Sequence, residues 1–157
     1  MLAHGLADGI HGDRPVTLLA FGLGARLVFQ ALVELGKMPQ GAGLGIVQDV
    51  LLIGAFVDAN PEMWRVARSA VAGRLTNAYV RDDAMLSVAF RAASATSSVA
   101  GLMAIKDVHG VENVDLTRWI AEEMSNAGHG SEWLSQSAYA RLFPLIAALV
   151  GYGSAHV

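Results

Sequence analysis

The stretch Arg14-Pro-Val-Thr-Leu-Leu-Ala-Phe-Gly-Leu-Gly-Ala-Arg26 decides the fold class. Pro15–Phe21 is a continuous apolar run. Val16, Leu18 and Ala20 alternate with Leu19 and Phe21, so both faces of a strand here are apolar. Gly22-Leu23-Gly24 is a tight break. Ala25–Leu35 then carries Leu27, Val28, Ala31, Leu32 and Leu35 at helical spacing, and Gly36 closes it. Strand, sharp turn and helix repeat outward from this point. Gln48–Gly54 is a second apolar strand. Asn60-Pro61-Glu62 starts a helix to about Val71, with an Asn cap, Pro at the first helical position and an acid at the positive end of the dipole. Leu75–Val80 is a third strand, and Arg81-Asp82-Asp83 a polar loop after it. Met85–Ala92 is a helix, and the Ala/Ser-rich stretch to Ile105 reads equally as helix or loop. Val111–Val114 is a short strand. Asp115 caps a helix to about Met124, Ser125–Gly130 is a loop, and Ser131 caps a final helical region that Pro144 breaks or kinks. Upstream, Leu2, Leu6 and Ile10 mark a helix ended by Gly12-Asp13. Apolar strands separated by helices build βαβ units and a parallel sheet. The fold class is α/β, with three to four mostly parallel strands flanked by helices. In such sheets chemistry sits outside the carboxyl ends of the strands.

Composition sets the outer limits. The 157 residues form a single domain, 1–157. Hydrophobic residues make up 54% and charged residues 16%, which excludes a disordered chain. The net charge of −3 leaves no basic excess for phosphates, so no nucleic-acid partner is expected. There is no cysteine, which removes disulfides, thiol catalysis and cysteine metal sites. The longest stretches free of Asp, Glu, Lys and Arg are Ala92–Ile105 and Leu142–Val157, and neither reaches the ~20 apolar residues of a spanning helix. No secretory signal is visible at the N-terminus. An intracellular location is expected, compatible with an organelle membrane complex that the chain joins without a transmembrane helix of its own.

Two motif families use a strand–turn–helix junction. Ala20-Phe-Gly-Leu-Gly24 aligns with the nucleophile elbow G-x-S-x-G, with small flanks and Gly22 at the nucleophile position. Gly22 and Gly24 also supply two positions of the dinucleotide fingerprint G-x-G-x-x-G, but Leu27 stands at the third and Gly54 where an acid should end the next strand. A plain βα turn accounts for the same residues. The histidines at 4, 11, 109, 129 and 156 have no metal-ligand spacing, and the aspartates form no calcium loop, so no metal and no cofactor is expected. Trp64, Trp119 and Trp133 read as core or interface anchors.

Arg14–Arg26 resembles the elbow of the transmembrane-and-coiled-coil-domain family of lipase-like α/β-hydrolases, which typically reads R-P-V-T-L-I-G-F-S-L-G-A-R. The resemblance continues through Val47-Gln-Asp-Val-Leu-Leu-Ile-Gly-Ala55, Trp64, Ala67-Arg-Ser69, Val71-Ala-Gly-Arg-Leu75 and Asn77-Ala-Tyr79. It resumes at Ala100-Gly-Leu102 and Val111-Glu-Asn-Val-Asp-Leu116. It implies a truncated α/β-hydrolase fold, the C-terminal part only, with the elbow at 20–24. It also implies a triad remnant: Gly22 in place of the nucleophilic serine, Asp83 as the acid, and His129, in the pair Gly128-His129, as the base. The backbone N–H of Leu23 would be the oxyanion remnant. The plain alternatives are a solvated loop acid for Asp83, a surface loop histidine for His129, and a packing or cap residue for Ser69.

The resulting expectation is a non-catalytic, hydrolase-derived structural or interaction subunit of a larger assembly, a pseudoenzyme. The alternative is a serine esterase or lipase-like hydrolase with Gly22 at its changed nucleophile position and its missing strands supplied by another chain. A weaker third is a nucleotide-binding module using Gly22 and Gly24. The expected partners are other protein subunits that pair with or cover the strand Val16–Phe21, whose edge carries no charge and no interior proline.

Overall fold

A computed structural model describes residues 2–9, 12, 14–41, 43–93, 98–126 and 136–152. The strands are β1 (Val16–Phe21), β2 (Val47–Ile53), β3 (Leu75–Tyr79) and β4 (Val111–Asp115). The helices are α1 (Leu2–Ala7), α2 (Gly22–Gly36), α3 (Pro61–Ser69), α4 (Ala84–Ala93), α5 (Thr117–Asn126) and α6 (Gln136–Leu149). All four strands are parallel, in the order β1-β2-β3-β4. The fold is α/β, a four-stranded parallel sheet flanked by helices.

Alternation along β2 separates the two cores. Val50 and Leu52 face Val28, Leu32 and Trp64, under α1, α2 and α3. Leu51 and Ile53 face Ile120, Tyr139 and Ile146, under α5 and α6. Two-sided burial is why β2 reads as the apolar run Val50–Ile53. β3 is buried on both faces as well, with Thr76 and Asn77 held inside by hydrogen bonds. Trp64 is fully buried, 4.7 Å from the Phe29 ring, and its indole N–H donates to the Asp58 carbonyl at 3.0 Å. Trp133 lies outside the described residues, as do Ser131 and residues 94–97 of the Ala/Ser-rich stretch.

The two edge strands differ. β4 carries Glu112, Asn113 and Asp115, exposed polar groups that blunt it. β1 pairs only with β2 among the described strands, and its exposed positions are Thr17 and Leu19.

Local signals set most boundaries. The Asn60 side chain accepts the Glu62 N–H at 2.9 Å, as the cap motif predicts. Asp115 accepts from the Thr117 N–H at 3.0 Å at the start of α5. Most ends shift by one to three residues, as at α1, which stops at Ala7 and not at Ile10. Three further differences concern the helices. The second helix begins at Gly22, not Ala25, because it follows β1 with no loop between them. α5 runs on through Ser125 to Asn126. Pro144 lies inside α6 and does not end it.

Candidate functional site

The carboxyl ends of β1, β2 and β3 converge on one cleft of about 310 Å³, whose lining includes Gly22, Leu23, Gly54, Phe56, Asp83 and Tyr139. Gly22 directly follows β1 and opens α2 with φ +55°. A side chain in this left-handed region meets its own backbone, so glycine is the residue that adopts it without strain. Gly54 ends β2 with φ +53°. A Cβ at Gly54 would lie 2.9 Å from the Tyr139 hydroxyl oxygen, so the missing side chain makes room for that phenol.

Asp83 is 2% exposed. It immediately precedes α4, and its Oδ1 accepts the Leu86 N–H at 2.9 Å, an N-terminal cap. Its Oδ2 accepts the Tyr139 hydroxyl at 2.7 Å. The bland expectation of a solvated loop acid does not hold: α4 and α6 enclose this carboxylate. Tyr139 is 4% exposed, on α6, with its ring stacked 6.5 Å from Phe21. Burial first, and the Asp83 charge second, push its hydroxyl well above the usual tyrosine range. The phenol therefore stays a proton donor, and both Asp83 oxygens are occupied.

Gly22, Leu23 and Asp83 thus line one cleft. Leu23 is 62% exposed at its mouth. His129 lies outside the described residues. Ser69 sits on α3, where its hydroxyl donates to the Val66 carbonyl at 2.7 Å. Tyr139 is the site residue that sequence reasoning missed. Its one signal is a phenol within an apolar helix, which needs a polar partner once buried. Among the described residues no group of three or more His, Asp or Glu side chains converges to hold a metal ion.

Residues 1–135 match the family described as "Protein of unknown function (DUF726)". The chain belongs to the DUF726 family. It is 45% identical over 152 residues to "Transmembrane and coiled-coil domain-containing protein STS1" of Oryza sativa subsp. japonica, covering 94% of this chain and 22% of that protein. It is 39% identical over 110 residues to "Probable lipase MIL1" of Saccharomyces cerevisiae, covering 69% of this chain and 10% of that protein. It is 40% identical over 100 residues to "Uncharacterized membrane protein F35D11.3" of Caenorhabditis elegans, covering 64% of this chain and 16% of that protein. The DUF726 chain thus spans between 10% and 22% of the length of these relatives. Their names are consistent with a lipase-like family that includes membrane proteins. No solved structure matches the chain. Among the described residues no helix of this DUF726 protein is long and apolar enough to cross a membrane.

Proposed function

We propose that this chain is a non-catalytic, hydrolase-derived subunit, one structural unit over residues 1–157, that keeps the frame of a lipase-like site without its nucleophile. The observation that carries the reading is Gly22. It stands at a strand-to-helix turn with φ +55°, on the cleft, at the carboxyl end of the sheet. Such a left-handed junction is where an α/β-hydrolase holds its serine. Glycine supplies no oxygen there, and without a nucleophile no acyl-enzyme forms. Asp83 retains the acid's position after β3, but its oxygens serve Leu86 and Tyr139. In this reading the apolar β1 edge is completed or covered by another polypeptide, in an assembly at a membrane.

The test is labelling by a serine-directed fluorophosphonate probe together with hydrolysis of short acyl esters. The chain is expected to give neither. Stoichiometric labelling at any serine overturns the reading and favours the esterase alternative. Gly22→Ser is expected to give little turnover as well, because the Asp83 carboxylate is already engaged by Leu86 and Tyr139.

A further inference from the structure

A second cleft adjoins the first. It has a volume of about 270 Å³, and Phe56 walls both. Together they form one groove between α2 and α4, with Phe90 of α4 edge-on to Phe56 at 5.2 Å between ring centroids. We propose that this groove binds a single-chain zwitterionic lipid, a lysophospholipid, with its acyl chain in the cleft beside Asp83 and its phosphate at Arg26. The proposal deepens the non-catalytic reading of the same site, since the lipid is held and not cleaved.

The inner cleft suits a hydrocarbon chain. Its polar side chains pair with each other and with the backbone: the Tyr139 hydroxyl and the Leu86 N–H both go to Asp83. A polar substrate would find no free partner in these groups, and an apolar chain leaves none of them unpaired. The volume is at the lower end of the ~300–1,000 Å³ typical of small-molecule sites, less than an eighteen-carbon chain fills, so it takes part of a single chain and leaves the rest along the rim. The mouth is apolar as well. Leu23 is 62% exposed and Met85 46%, and Leu27 at 56% and Val88 at 60% continue the same helix faces one turn on. Such a rim favours contact with a lipid surface over water.

Charge sets the orientation. Arg26 is exposed in the outer cleft, 5.8 Å above the Phe56 ring, and among the described residues no carboxylate lies within ion-pair distance of it. Asp58 lines the same cleft. A lone carboxylate headgroup would meet Arg26 but also repel Asp58. A phosphate joined to an ammonium matches both charges. The acid at the far end, Asp83, excludes a second anion there.

The experiment is titration of the full chain with oleoyl lysophosphatidylcholine, kept below its micellar concentration, and in parallel with uncharged monooleoylglycerol. Bound lipid is then identified by mass spectrometry. Saturable binding of the intact lysophospholipid is expected. Arg26→Ala should weaken it about tenfold, the value of ~1.4 kcal/mol, and change monooleoylglycerol binding less than about twofold. Ala89→Trp, at an exposed α4 position on the inner cleft, should abolish binding of both lipids with an unchanged circular dichroism spectrum. Absence of binding to either lipid overturns the groove and leaves the non-catalytic reading standing. Binding that Ala89→Trp or Arg26→Ala does not alter also overturns the groove. Binding with release of oleate supports the groove and overturns the non-catalytic reading.

Discussion

Tyr139→Phe deletes one buried oxygen atom and keeps the ring, so it isolates the Tyr139–Asp83 hydrogen bond. The bond is 2.7 Å long between groups 4% and 2% exposed. A hydrogen bond to a charged group contributes ~1.5–3 kcal/mol, and the variant leaves a carboxylate oxygen enclosed without its donor. Phenylalanine keeps the stacking on Phe21, so no cavity offset enters. The expected loss is ~2–3 kcal/mol. For a domain of this size each kcal/mol lowers Tm by ~2–4 °C, giving a fall of roughly 5–10 °C at neutral pH. The assay is urea unfolding together with calorimetry, with the urea m value unchanged. The alkaline limb supplies an independent check. The folded-state pKa of Tyr139 lies above its unfolded value. The unfolded chain therefore releases the phenolic proton first, near pH ~10. The contribution is complete below that pH and is lost as pH rises toward the folded value. Tyr139→Phe should remove this part of the alkaline slope. A loss below ~0.5 kcal/mol, with the alkaline slope intact, would refute the view that this pair is a desolvated lock on the site.

Two further expectations concern the sheet edges. Thr117 first, and Arg81 after it, hold the Asp115 carboxyl below its usual range, and hydrogen bonds from Arg74 do the same for Glu112. Depressed carboxylates stabilise above their unfolded pKa near ~4 and lose that contribution as pH falls through the folded values, so urea midpoints should fall below pH ~4 and Asp115→Asn with Glu112→Gln should flatten that limb. At the opposite edge, size-exclusion chromatography with light scattering is expected to show the isolated chain associating, with weak hydrogen-exchange protection over residues 16–21. A stable monomer with that strand strongly protected would defeat the reading of β1 as an unfinished edge.

What the sequence determined by itself is local. Apolar runs, helical periodicity and glycine breaks marked every strand, because these signals lie within a few residues of the structure they specify. The Asn60-Pro61 start of α3 is of this kind, since the capping oxygen and the N–H it accepts are two residues apart. The turn at Gly22 was visible as a break after an apolar strand. Its place at the carboxyl edge followed from the elbow resemblance, and the cleft it lines with Asp83 and Tyr139 took the tertiary fold to assemble. Pro144 shows a local signal overridden, since the helix breaker is carried inside α6. Asp83 shows the limit most clearly. In Arg81-Asp82-Asp83 it stands in a polar triplet where only the family resemblance, and no local pattern, separates it from its neighbour, yet Asp82 is exposed and Asp83 is enclosed. That difference is made by Tyr139, 56 residues away on a helix from the far end of the chain. Burial of an ionisable group depends on what packs over it, and only the tertiary fold brings those elements together.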